Sequence, residues 1–222
     1  MDKMPSYLQE HRATLHETSS DKTQKEYMCN STLTVFDFDG LKDWYVENHL
    51  PKLTQTPCSN DALWLDDNHV VFIEFKNGKI GPVENNEIVF KLYDSLLLLL
   101  DDKFDLSYCR PDFKQNISYT REHMDYILVY NTDKYDEDHH TPQTKKSLER
   151  QGVQFSKLEE ASKWQNPQNA KSRTAIYKAF RALGKRSIIL FGLDRFKGYL
   201  FRQVYTMNQS EFEQYLQEQG VT

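Results

Sequence analysis

Residues 61–79 read Asp61-Ala-Leu-Trp-Leu-Asp-Asp-Asn-His-Val-Val-Phe-Ile-Glu-Phe-Lys-Asn-Gly-Lys79, and the pattern inside this stretch decides how the rest of the chain is arranged. Two apolar runs, 62–65 and 70–75, flank the turn-type tetrad Asp66, Asp67, Asn68 and His69, the pattern of a β-hairpin. With Asp67 and Asn68 at the tip, antiparallel pairing sets Leu65 against Val70, Leu63 against Phe72 and Asp61 against Glu74. Side chains alternate along a strand, so Lys76 shares the face of Glu74. Two carboxylates opposite one another, roughly 4.5–5.5 Å apart at Cβ, repel. A divalent cation between them would remove that cost.

Working outward, residues 32–38 are β-prone, and 41–50 read as a short helix capped by Asp39 and stopped by Pro51. After the hairpin, 78–86 read as a loop and 87–101 as a buried helix, with Ile88, Leu92, Ser95, Leu96 and Leu99 along one face. The nearly continuous apolar run 126–131 is expected to be an interior strand. An acidic loop with His139 and His140 follows, then helices over 143–151 and 172–183, strands over 187–191 and 199–207, and a last helix opened by a capping box at Ser210. This order predicts an α/β fold: a single domain over 31–222 with a mixed β-sheet flanked by helices, preceded by a flexible polar arm over 1–30.

Length and composition fit that expectation. The 222 residues suffice for one substantial core, and 13 Phe, 13 Tyr and 3 Trp enrich a modest hydrophobic fraction of 38%. Cys29, Cys58 and Cys109 have no metal-ligand spacing, which points to reduced thiols and a cytoplasmic setting. The longest greasy run, 96–100, is far too short to span a bilayer, so no membrane partner is expected.

An Asp followed by Glu-x-Lys on the next strand, here Asp61 and Glu74-Phe75-Lys76, resembles the motif of the PD-(D/E)XK phosphodiesterase superfamily, whose fold is restriction-endonuclease-like. The likeness extends from Val70 through Gly78 to the helical Lys91-Leu-Tyr-Asp-Ser and covers the middle third of the chain. Asn60 stands where the family places Pro. The resemblance implies metal-dependent hydrolysis of nucleic acid, DNA ahead of RNA, with Asp61, Glu74 and Lys76 as catalytic residues. It implies Mg²⁺ or Mn²⁺ held by Asp61, Glu74 and the backbone carbonyl of Phe75, with Glu47 as a further acid and Lys91 as an accessory residue.

Net charge is −5, so the chain as a whole does not announce a polyanion partner. Locally, nine Lys or Arg between Lys171 and Arg202 face a single acid, Asp194. Lys171, Arg173, Lys178, Arg181, Lys185 and Arg186 are therefore the candidate nucleic-acid-binding residues, against the plainer reading of a solvated basic face. A homodimer would suit cleavage of both strands, but no interface is legible. Three alternatives remain open. Glu74 and Lys76 can be an exposed pair on a half-buried strand; the fold can bind nucleic acid or a protein without cutting; and Asp37 and Asp39, ending a strand as Asp-x-Asp-Gly, resemble the nucleophile loop of haloacid-dehalogenase-type phosphatases.

Overall fold

In the computed structural model of the protein, which describes residues 4–21, 23–78, 80–104, 118–131, 149–152 and 188–221, the hairpin forms in the expected register. Strands β5 (Ala62–Leu65) and β6 (Val70–Lys76) pair antiparallel, with Leu65 opposite Val70, Leu63 opposite Phe72 and Ala62 opposite Ile73. The next step of that register sets Asp61 opposite Glu74. The polar tetrad closes on Asp66, whose carboxylate accepts from the N–H groups of Asn68 and His69.

The hairpin lies in the middle of a six-stranded mixed sheet of order β1-β4-β5-β6-β7-β8, with β1 Arg12–Thr14, β4 Thr34–Asp37, β7 Asp125–Tyr130 and β8 Gln203–Asn208. Pairing is antiparallel as far as β6 and parallel from β6 to β8. A small ribbon of β2 (Ser20–Asp21) and β3 (Glu26–Tyr27) stands apart. Strand β7 has neighbours on both sides and every residue buried, which is why its sequence is apolar throughout.

Each sheet face is covered. On one, Phe36, Leu63, Phe72 and Leu128 pack against α1 (Ser6–Glu10), α3 (Phe38–Glu47) and α4 (Pro82–Leu100). On the other, Trp64, Ile73, Ile127 and Val129 meet Leu15 of α2 (Leu15–Thr18) and Phe212 and Leu216 of the C-terminal helix α6 (Gln209–Glu218). Between these elements in the chain lies a short α5 (Tyr119–His123). The molecule is thus an α/β single domain, a mixed sheet flanked by helices. The face of α4 expected from periodicity is the buried one: Ile88, Leu92, Ser95, Leu96 and Leu99 are all inside.

Several boundaries differ from the sequence reading. Residues 1–30 do not form a loose arm where they are described: β1 is an edge strand against β4, and Leu8 and Leu15 are fully buried. Leu8, Leu15, Met28 and Cys29 in the core and a backbone ladder hold this segment, and neither shows in a polar composition. Helix α3 starts at Phe38, a turn earlier than expected, because Asp37 is the cap; its carboxylate accepts from Gly40 N–H at 3.0 Å. Gly40 is needed there, since a Cβ would stand 2.7 Å from the His11 ring. Helix α4 likewise starts early, at Pro82, with Glu84 returning to the Gly81 N–H.

Residues 188–190 do not extend into a strand. They are buried irregular backbone whose polar groups meet side chains: Gln151 bonds both the N–H and the carbonyl of Ile189, and Thr206 accepts from Leu190 N–H. The last helix is capped by Asn208 rather than Ser210, through the competing box Asn208-Gln-Ser-Glu211. The expected helices over 143–151 and 172–183, His139 and His140, and the basic residues 171–186 lie largely or wholly outside the described residues.

Candidate active site

Glu74 follows Phe72 by one pleat and so points to the face covered by α4. It is fully buried, in the C-terminal half of a strand that is parallel to its neighbour β7. Lys91 comes down from α4 to meet it: Lys91 Nζ donates to both Glu74 oxygens at 2.8 and 3.0 Å and to Asp61 Oδ1 at 3.3 Å. Asp61 is oriented from the other side, its Oδ2 accepting from Phe75 N–H at 2.6 Å. Lys76 Nζ stands at the cluster's mouth, 3.6 Å from Glu74 Oε1 and 3.8 Å from Glu87 Oε2.

Asp61, Glu74 and Lys76 thus converge, as the hairpin register implied, and the packing of α4 brings Lys91 to them. Glu47 does not join them. It is exposed at the last turn of α3, about 12 Å along the helix from the first turn. The acid that α3 contributes is Asp39, which accepts from Ser59 Oγ and acts electrostatically on both Asp61 and Lys91. The two-residue shift of the cap from Asp39 to Asp37 is what frees Asp39 for this place. Asp37 and Asp39, the acids of the phosphatase alternative, consequently diverge: one closes its own helix, the other turns to Ser59. Of the basic stretch, Arg195, Lys197 and Arg202 are described, and Arg202 is engaged by Asp125 through two bonds of 2.9 and 2.8 Å.

Tyr126 is the residue the sequence reading missed. It lies on β7 opposite Phe72, fully buried, and among the described residues its hydroxyl has no hydrogen-bond partner. Burial, then the nearby Glu74 and Asp61 charges, raise its hydroxyl well above the ordinary range. A signal was available: a tyrosine in an otherwise apolar buried strand brings one polar atom into the core.

Burial dominates the electrostatics. It pushes Glu74 up to about 8, and Asp61 adds to the rise while Lys91 and Lys76 oppose it. Asp61 is raised too, by burial first, with Lys91 and the Phe75 N–H pulling the other way and Asp39 adding to the rise. For Lys91 burial alone favours the neutral amine, but Glu74 and then Asp61 outweigh it and hold the ammonium charged. Drawing these groups from water costs several kcal/mol per ion. The apolar side chains of α4 and β6 offset it, at roughly 1.5–3 kcal/mol for each fully buried Leu, Ile or Phe.

The donor set suits a hard divalent cation. Lys91 already places one positive charge between the two carboxylates, and the Phe75 carbonyl lies on the same strand edge as its N–H, toward Asp61. Among the described residues no three His, Cys, Asp or Glu side chains group as metal ligands. Two carboxylates and a carbonyl are nonetheless a set that magnesium accepts by keeping several waters.

Fold and site together define a class: a mixed-sheet α/β domain with a buried acid–lysine cluster beneath a helix. Compared with protein-family models, curated proteins and solved structures, the chain has no significant match. Among the described residues no helix is long and apolar enough to cross a membrane.

Proposed function

We propose that the protein hydrolyses phosphodiester bonds of nucleic acid, DNA ahead of RNA, with Mg²⁺ or Mn²⁺ held by Asp61, Glu74 and the Phe75 carbonyl. The observation that carries this reading is Glu74: a fully buried carboxylate contacted by two lysines and facing a second acid. Such an arrangement contributes little stability compared with an apolar core, and perturbed ionisable clusters of this kind mark functional sites. The cation would supply charge neutralisation at the phosphoryl oxygens and an activated water. Asp61, fixed by the Phe75 N–H, and Glu74, fixed by Lys91, hold their oxygens at one place. Lys76, the more loosely held ammonium, orients the attacking water and offsets charge on the phosphate. Lys91 balances the acids from the helix side.

The test is cleavage of plasmid and of labelled DNA and RNA strands with Mg²⁺ or Mn²⁺. Asp61→Asn, Glu74→Gln and Lys76→Ala should each abolish cutting while leaving a folded protein; cutting that persists in all three variants removes the proposal. As part of the same reading we place the protein in the cytosol, in keeping with the free thiols Cys29 and Cys58, and treat a homodimer as the form that would cut both strands.

One observation favours a second reading, a protein of this fold that binds without cutting. Lys91 bridges both carboxylates and offsets one of their charges without any divalent ion. Calorimetric titration with Mn²⁺ separates the two: heat that is lost in Glu74→Gln supports hydrolysis, and no heat supports binding alone.

A further inference from the structure

We propose that the groove beside the acid–lysine cluster is a subsite for an unpaired nucleobase, which makes the substrate single-stranded nucleic acid or a single-stranded branch; this rests on the hydrolytic reading above. Residues 49–61, between α3 and β5, run past α4 without regular structure. Three bonds pin the end of this loop: Cys58 N–H to Asp94 at 2.8 Å, Ser59 Oγ to Asp39, and Asn60 N–H to Ser95 Oγ at 2.7 Å. The same bonds position Asp61, the next residue. Upstream of them the loop and α4 enclose a groove of about 710 Å³, lined among others by Leu53, Pro57, Phe90, Leu97, Asp94 and Asp101. That lies within the roughly 300–1,000 Å³ of small-molecule clefts.

Its chemistry selects the ligand. Phe90 and Leu97 are 60% and 67% exposed, large apolar surface left open to solvent along one side of a helix. Asp94 stands three positions from Lys91, a neighbouring place on the helix surface, and accepts from Cys58 N–H three residues before Asp61, so this end of the groove leads toward the cluster that would hold the scissile phosphate. Asp94 and Asp101 repel a phosphate from the groove itself. What fits is a flat, uncharged ring: one face on Phe90, its amino group donating to a carboxylate as cytosine does. A base inside a duplex has both faces stacked and its amino group paired, so only an unpaired nucleotide can bind this way. Because the groove wall and Asp61 share their three anchoring bonds, a base seated in the groove also steadies the acid beside the phosphate.

The experiment measures fluorescence anisotropy of a short labelled DNA strand, alone and annealed to its complement, with the wild-type protein in EDTA. Binding of the single strand should be about tenfold tighter than that of the duplex, and Phe90→Ala should lower single-strand affinity by a similar factor. Asp94→Asn, which retains an oxygen for the Cys58 N–H, should weaken strands rich in amino-bearing bases more than oligo-dT. Equal affinity for duplex and single strand, or an unchanged affinity in Phe90→Ala, overturns the subsite. Cleavage assays run in parallel keep the two readings apart. Phe90-dependent binding without metal-dependent cutting upholds the groove and removes hydrolysis; cutting indifferent to Phe90→Ala upholds hydrolysis and removes the groove.

Discussion

Replacing Glu74 by Gln should change how the stability of this protein depends on pH, and in a direction opposite to that of an ordinary salt-bridged acid. Burial and Asp61 push the carboxyl from the usual 4.5 to about 8, so the folded state binds its proton more tightly than the unfolded chain does. Below pH 4.5 both states hold the proton and the group is neutral in the balance. As pH rises from there to 8 the unfolded chain gives up its proton first, and stability falls. Above 8 the loss is complete. At about 1.4 kcal/mol per pH unit, a displacement of this size sets an upper bound of about 5 kcal/mol on the loss. In Glu74→Gln the titration is gone. The variant also changes the contact with Lys91, whose ammonium Glu74 and then Asp61 hold charged in the wild type. The slope difference between the two proteins therefore reports the loss of the Glu74 carboxyl together with its effect on the neighbouring Asp61. Urea unfolding in EDTA at several pH values between 5 and 8 should show wild type losing several kcal/mol relative to the variant. Parallel curves would refute the account of Glu74 as a desolvated acid.

Other expected outcomes follow from the same coordinates. Tyr126→Phe removes a buried hydroxyl that has no partner among the described residues, so thermal unfolding should show stability unchanged or raised by about 1 kcal/mol; a clear loss would mean that the hydroxyl is satisfied by another group or by water. Arg202→Ala breaks the two-bond pair with Asp125 at the start of β7 and β8, but the arginine side chain is 46% exposed, so denaturation should register only about 1 kcal/mol. Neutralising Lys171, Arg173, Lys178 and Arg181 together should weaken nucleic-acid binding and flatten its dependence on salt, read from affinities at several ionic strengths; an unchanged slope would place the path of the strand elsewhere.

What could be read from the sequence alone was whatever depends on near neighbours in the chain. The register of β5 on β6 was legible because a polar tetrad between two short apolar runs leaves one pairing that keeps both faces consistent, and a slip by one residue would turn every side chain over. The buried face of α4 and the interior place of β7 followed from period and from continuous apolarity. The tertiary structure decided the rest, because it depends on which surfaces meet. Periodicity put Lys91 at the edge of α4, where a lysine is usually solvated; only the packing of that helix over β6 brings its ammonium to Glu74 and Asp61. The sequence reading capped α3 with Asp39; the structure caps it with Asp37, and that difference determined which acid faces the site. The pairing of β1 with β4 runs through backbone groups that every residue carries, so no side-chain pattern announces it. Local chemistry specifies an element's period and its ends; the free energy of burying one element against another selects the few side chains that finally share a site.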